Sequence, residues 1–205
     1  MSSQSGPLLR EGALRGRVIV MGSPAHASGP SQVSEQTADR CRGLGARVFD
    51  LACDPAEEEA CLGAVTGILD GAGGIDLLVN DALGGFEAAI SAHDDDVMAL
   101  RATVDACWVM TRSVANAAFI PDSRGGRVVN VAPSTRDGSQ AGREGARSAL
   151  ENMARTLSIE WSRYGVRTTT ILPGPRTDPA ELAGLVAFLA SEAGDYYSGC
   201  AFNLR

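Results

Sequence analysis

The sequence predicts an α/β domain built on a parallel sheet with helices packed on its faces. The central observation is the stretch 126–174, which reads as strand, loop, long helix, strand. A β-branched run at 127–132 is followed by Ala146, Ala149, Leu150, Met153, Leu157 and Trp161 at helical spacing. A second β-branched run, 166–172, is stopped by Pro173-Gly174. Two apolar strands joined by a helix of that length make a right-handed βαβ unit with parallel strands. Composition agrees, because only 5% of residues are aromatic while Ala, Gly and Val abound, which suits helices lying close on a sheet.

The remaining elements follow in order. Residues 17–21 (RVIVM) form a first strand, GSPAHASGPS a turn, and 32–44 a helix ended by Gly43-Leu44-Gly45. Residues 46–52 form a second strand. Asp54, followed by the acidic run PAEEEA, reads as the N-cap of a helix over 55–69. Residues 75–80 (IDLLVN) form the next strand, with Asn80 as a strand-anchoring polar residue. His93 is a surface loop residue, and the aspartates that follow it cap a helix over 97–119. Consecutive carboxylates before a helix do not converge on one ion, so no metal is expected.

The 205 residues suit one domain, 17–205, preceded by a flexible tail, 1–16, that lacks an apolar signal core. A net charge of −7 argues against a nucleic-acid backbone or an anionic membrane as partner. Cys41, Cys53, Cys61, Cys107 and Cys200 are odd in number and contain no CxxC pair, so they read as reduced thiols of a cytoplasmic protein. Every one of the 18 basic residues is Arg. A P-loop lysine and a Schiff-base lysine are thereby excluded.

The wording of VVNVAPS and ALENMARTLSIEWSRYGVRTTTILPGP resembles the catalytic half of the short-chain dehydrogenase/reductase family. The tail ELAGLVAFLASEAGDYYSGCAFNLR is similar to that family's last helix and strand, so the resemblance runs over roughly residues 16 to 205 with two internal deletions. It implies a three-layer Rossmann-like fold with a mostly parallel sheet, narrowed by about one strand. The family's glycine turn, TGxxxGxG, falls on Gly22, with His26 at the second glycine and Ser28 at the third. Asp54 lies near the place of the acid that holds the adenosine ribose, and Asn80-Asp81-Ala82-Leu83 takes the place of Asn-Asn-Ala-Gly. In the active site, Arg143 stands at the tyrosine place and Arg147 at the lysine place. Pro133, with Ser134 beside it, stands at the serine place, and Thr103 lies near the asparagine place. Tyr164, Tyr196 and Tyr197 all lie outside that helix turn.

From this pattern the sequence predicts a degenerate, shortened member without the usual Asn-Ser-Tyr-Lys redox site, acting as a non-redox small-molecule enzyme or binding protein. The alternatives are an inactive subunit that pairs with itself or with an active reductase, and an NAD(P)-dependent oxidoreductase with a rearranged site. No cofactor is expected, NAD(P) being the disfavoured alternative. The candidates for chemistry are Arg143, Arg147, Ser134 and His26; those for cofactor contact are Gly22, Ser28, Asp54 and Asn80. The altered glycine turn and Arg147 are similar to the halohydrin dehalogenase branch, but that route needs a tyrosine base, and an arginine cannot replace it because its pKa stays above about 12. Arg143 and Arg147, four apart, share a helix face and form a clamp for a small, anionic ligand. His26 has a pKa suited to proton transfer. Asp81 lies at a strand's C-terminal edge, where open α/β sheets meet ligands.

Helices 97–119 and 143–163 carry more apolar surface than one sheet covers. On the second, Met153, Leu157 and Trp161 form the expected core stripe, with Leu150, Ala154 and Ile159 outside it. The family resemblance implies pairing through these two helices, so a homodimer or homotetramer is expected.

Overall fold

The computed structural model describes residues 9–24, 30–54, 56–135 and 141–204 of the chain. One sheet holds six parallel strands: β1 (Val18–Pro24), β2 (Arg47–Cys53), β3 (Leu77–Asp81), β4 (Gly126–Val131), β5 (Val166–Leu172) and β6 (Ala201–Asn203). Their order is β2-β1-β3-β4-β5-β6, with Gly22 in register with Leu51 on one side and Asn80 on the other. The helices between them are α1 (Gln32–Gly43), α2 (Glu58–Ala72), α3 (Ala82–His93), α4 (Asp96–Val114), α5 (Ala141–Glu160) and α6 (Pro179–Ala190).

The three layers follow from the period-two alternation of the strands. On β1, Ile19 and Met21 point into a core shared with Val33, Ala38, Leu182 and Val186 of α1 and α6. Val18 and Val20 point the other way, into a core with Val65 of α2 and Val109, Met110 and Val114 of α4. Strands β3 and β4 divide in the same manner, with Val79 and Val129 on the first face and Leu78 and Val128 on the second. Such strands, buried on both faces, read as continuous apolar runs.

Several expectations are corrected. Helix α3 fills a stretch to which the sequence pattern assigns no element, and His93, expected in a surface loop, is its last residue. The pair Gly84-Gly85 masked it, since glycine is a poor helix former. Asp95 alone caps α4, accepting from Val97 N at 2.9 Å and Met98 N at 3.0 Å. Asp54 accepts from Ala56 N at 2.9 Å, but α2 begins only at Glu58, so Asp54 closes a turn ahead of the helix instead of capping it. Leu14, within the expected tail 1–16, is fully buried, and its N–H donates to Leu44 O at 3.0 Å. Cys61 is disulfide-bonded, against the all-reduced reading, whereas Cys41, Cys107 and Cys200 are free thiols.

The buried stripe of α5 is also rotated from the expected one. Leu150, Ala154 and Leu157 face the core, Met153 and Trp161 are half-buried, and Ile159 is 75% exposed. Thr170 Oγ1 donates to Leu150 O at 3.1 Å, and Thr168 Oγ1 donates to Ala154 O, so β5 side chains fix this rotation.

Candidate active site at the sheet's switch point

The chain leaves β1 toward β2 on one side and resumes at β3 on the other. This reversal opens a crevice at the C-terminal ends of β1 and β3, the place where open α/β sheets receive ligands. Gly22 lies there, fully packed. A Cβ at this position would come within 2.9 Å of Met110 Sδ and 3.1 Å of Asn80 Oδ1. Asn80 is fully buried, and its Nδ2 donates to Thr111 Oγ1 at 2.9 Å and Asn130 Oδ1 at 2.8 Å. Gly22 and Asn80 therefore meet, and Asn80 ties β3 to β4 and α4 beneath the crevice.

Asp81, at the end of β3, is a feature whose full role the sequence did not disclose. Its Oδ2 accepts from Ser31 Oγ at 2.5 Å and Ser34 Oγ at 2.8 Å, and its Oδ1 accepts from Gly84 N at 2.9 Å. Ser31 is the N-cap of α1 and also accepts from Ser34 N at 3.1 Å. One carboxylate thus joins the N-termini of α1 and α3, where aligned backbone N–H groups favour negative charge. No spacing rule links Ser31 to Asp81, fifty residues away.

A cavity of about 200 Å³ opens beside these groups, lined by Val33, Leu83, Pro173 and Pro175 together with Ser31, Ser134 and Thr177. Ser134 thus lines the cavity. The two arginines are placed differently. Arg143 is 3% exposed; its Nη1 lies 2.6 Å from Glu87 Oε1 and donates to Ser134 O at 3.2 Å, and its guanidinium stacks 4.7 Å from the Phe86 ring centroid. Arg147 Nη1 donates to Pro133 O at 2.6 Å and to Pro173 O at 2.9 Å, while its Nε lies 3.8 Å from Glu144. Burial pulls the Arg147 pKa down from its ordinary value, against the raising effect of Glu144. The expected clamp is absent as an open pair: each guanidinium is committed to protein carbonyls and carboxylates. Both arginines hold the loops that follow β4 and β5.

Of the other expected residues, Asp54 lies just beyond β2, and His26 and Ser28 fall outside the described residues. Thr103 is buried in α4, and among the described residues its Oγ1 has no hydrogen-bond partner. Tyr164, Tyr196 and Tyr197 lie before β5 and β6, at the opposite edge of the sheet from the crevice. Among the described residues no group of three His, Cys, Asp or Glu side chains converges as a metal site. No helix among them is long and apolar enough to cross a membrane.

The crevice fits a dinucleotide in its position at the C-terminal ends of β1 and β3 and in an apolar-walled cavity beside the N-terminus of α1. The Asp81 carboxylate and the Ser31 cap, however, already engage that N-terminus, and the space beside Gly22 is filled by Met110 and Asn80.

Comparison with known proteins agrees with this placement. The sequence profile described as short chain dehydrogenase matches residues 15–182. A peroxisomal 2,4-dienoyl-CoA reductase of Danio rerio is 28% identical over 171 residues, covering 82% of this chain and 57% of that protein. A 2-dehydro-3-deoxy-D-gluconate 5-dehydrogenase of Dickeya dadantii (strain 3937) is 27% identical over 199 residues, covering 80% of this chain and 78% of that protein. The chain thus spans little more than half the length of the first of these relatives. Among solved structures, a gluconate 5-dehydrogenase from Burkholderia cenocepacia J2315 in complex with NADP and tartrate superposes with a TM-score of 0.75 at 19% identity, covering 94% of this chain and 95% of that one. These findings overturn two expectations drawn from the substituted positions, a non-redox or inactive protein and the absence of a cofactor. The family model is that of a short chain dehydrogenase and the relatives are a reductase and a dehydrogenase, while the structural neighbour, at 19% identity, shows the shared fold. With Pro133, Arg143 and Arg147 at these positions the cavity remains open. No finding supports the halohydrin dehalogenase branch. The sheet order, the switch-point crevice and the match over residues 15–182 establish that the chain belongs to the short chain dehydrogenase family.

Proposed function

We propose that the chain is an NAD(P)-linked oxidoreductase of a small hydroxy or carbonyl compound, with a rearranged polar site in the switch-point crevice. The observation that carries this reading is the family match over residues 15–182, with relatives named as a dehydrogenase and a reductase. A bound nicotinamide dinucleotide supplies reversible hydride transfer. The chain's own residues bind, shield and orient. Backbone N–H groups at the start of α1 would receive the phosphates, and Asp54, just beyond β2, is the acidic residue that would meet the adenosine ribose. Val33, Leu83 and the prolines exclude water from the reacting end. Ser134 Oγ is the hydroxyl offered to the substrate oxygen, and the proton that accompanies hydride transfer exchanges with solvent at the cavity mouth. Arg143 and Arg147 are positioning residues: they fix the carbonyls of Ser134, Pro133 and Pro173. Calorimetric titration of NAD and NADP tests the reading. Saturable binding of either supports it, and no heat from either at millimolar concentration overturns it.

The same reading includes a homodimer or homotetramer assembled through helices 97–119 and 143–163. Leu150 and Ala154 are covered by the chain itself, but Val97 (58% exposed), Trp108 (37%) and Ile159 (75%) leave apolar surface on α4 and α5. A cytoplasmic location completes it, with the free thiols of Cys41, Cys107 and Cys200 in its favour and the disulfide at Cys61 against it; burial pushes the Cys41 thiol up to about 12, which keeps it protonated and inert.

A further inference from the structure

A second polar cleft, of about 270 Å³, lies at the opposite edge of the sheet, where β1, β3, β4 and β5 begin. Strands of this length place it about 20 Å from the switch-point crevice. It is lined by Arg17, Arg124, Arg127 and Arg167 against Asp76 and Asp195, an excess of two positive charges in a chain of net charge −7. The two carboxylates are already engaged. Asp76 Oδ2 accepts from Val18 N at 2.7 Å, and Asp195 accepts from the buried Arg127. Burial pushes the Asp195 carboxyl upward, but the Arg127 hydrogen bond and the charges of Arg127, Arg167 and Arg17 together hold it below the usual range, so it stays ionised.

The arginines, in contrast, hold unused donors. Arg17 and Arg167 each sit 3.6 Å from a carboxylate, beyond hydrogen-bond distance, and among the described residues neither donates a side-chain hydrogen bond. Arg124 uses Nη1 alone, on Gly73 O at 3.2 Å. Buried Arg127 adds a fixed charge: it is 7% exposed, and among the described residues its Nε has no partner. The floor is bare backbone, because Gly125 and Gly165 adopt left-handed φ of 75° and 74° and a Cβ at Gly125 would come within 2.9 Å of Gly165 O. The cleft therefore combines open volume, excess charge and forked guanidinium donors that match a tetrahedral oxyanion.

We propose that this cleft is a binding site for a doubly charged phosphate group, separate from the redox crevice. Arg124 and Arg167 supply the hydrogen bonds, with Arg17 and Arg127 supplying the field. The proposal stands independently of the oxidoreductase reading. Its test is calorimetric titration of inorganic phosphate at constant ionic strength into the full chain and into Arg124→Gln/Arg167→Gln. Arg155→Gln serves as control, since Arg155 is exposed on α5 and paired with Glu151. Both substituted cleft arginines are substantially exposed, and thermal melts confirm folding. Arg167→Lys, which keeps the charge, is the second variant. The expected result is saturable binding weakened roughly tenfold or more in the double variant, unchanged in Arg155→Gln and intermediate in Arg167→Lys. A second titration with glycerol phosphate separates the sources: competition assigns the site to phosphate monoesters, and its absence assigns it to free phosphate. Unsaturable heat in the native chain, or equal binding by the native chain and the double variant, overturns the proposal.

Discussion

Arg147 Nη1 lies 2.6 Å from the carbonyl oxygen of Pro133, and the same nitrogen reaches Pro173 O at 2.9 Å. One side chain on α5 thus fastens the loop after β4 to the loop after β5. Both loops border the cavity of the crevice, so the residue at the family's lysine place acts here on the shape of the site.

Arg147→Met is expected to release both loops. Hydrogen bonds from a charged donor contribute about 1.5–3 kcal/mol each, and partial repair by water lowers the total to roughly 2–4 kcal/mol. Urea unfolding measures the loss, and NAD(P) affinity should fall with it. Unchanged stability would show that the loops hold themselves.

The Arg143–Glu87 pair is predicted to be coupled. Arg143 is almost fully buried against Phe86, so Glu87→Gln leaves an imperfectly matched buried charge. Removing one partner of such a pair costs on the order of 3–5 kcal/mol, and Arg143→Met should show a comparable loss. The double variant should be less destabilised than the sum by about 1–3 kcal/mol in a double-mutant cycle. Strict additivity would mean that the pair contributes nothing specific.

Asp81→Asn is expected to tighten dinucleotide binding. The carboxylate occupies the N-termini of α1 and α3, where it repels an incoming phosphate. Neutralising it should improve affinity by on the order of 1 kcal/mol, roughly fivefold, and more at low salt than at high salt. The bonds from Ser31 and Ser34 weaken, so the melting temperature should drop. Weaker binding in the variant would instead make Asp81 a positive determinant of the site.

Self-association through α4 and α5 predicts a dimer or tetramer in sedimentation velocity. Trp108→Glu and Ile159→Glu each place a charge on the exposed apolar surface and should shift the chain to monomer. A native monomer, or variants that sediment like the native chain, rules this assembly out.

Much of the fold was readable from local pattern. β5 was placed at its full extent from the β-branched run 166–172 and its Pro-Gly stop. The parallel order followed from strand–helix–strand spacing. Elements whose pattern is ambiguous were not: α3 hides behind Gly84-Gly85, and the buried stripe of α5 is set by Thr168 and Thr170 on a neighbouring strand. The site was readable as positions but not as partners. Arg143 and Arg147 share a helix face as their spacing requires, yet their destinations, Glu87 and the prolines, depend on distant chain segments. Residue identity at four substituted positions does not report on the crevice itself, which β1, α1 and the loops after β4 and β5 form.

The central claim, NAD(P)-linked redox chemistry in the switch-point crevice, is tested most directly by nicotinamide absorbance during turnover. The purified chain is incubated with NAD or NADP and a panel of hydroxy acids and sugar acids, and with the reduced cofactors and matching ketones and enoyl thioesters. The account predicts steady, enzyme-dependent cofactor turnover with at least one substrate, reduced at least tenfold in Ser134→Ala, as expected for loss of a group that contacts the reacting oxygen. Cofactor that stays unchanged with every panel member, by a folded chain, would contradict it.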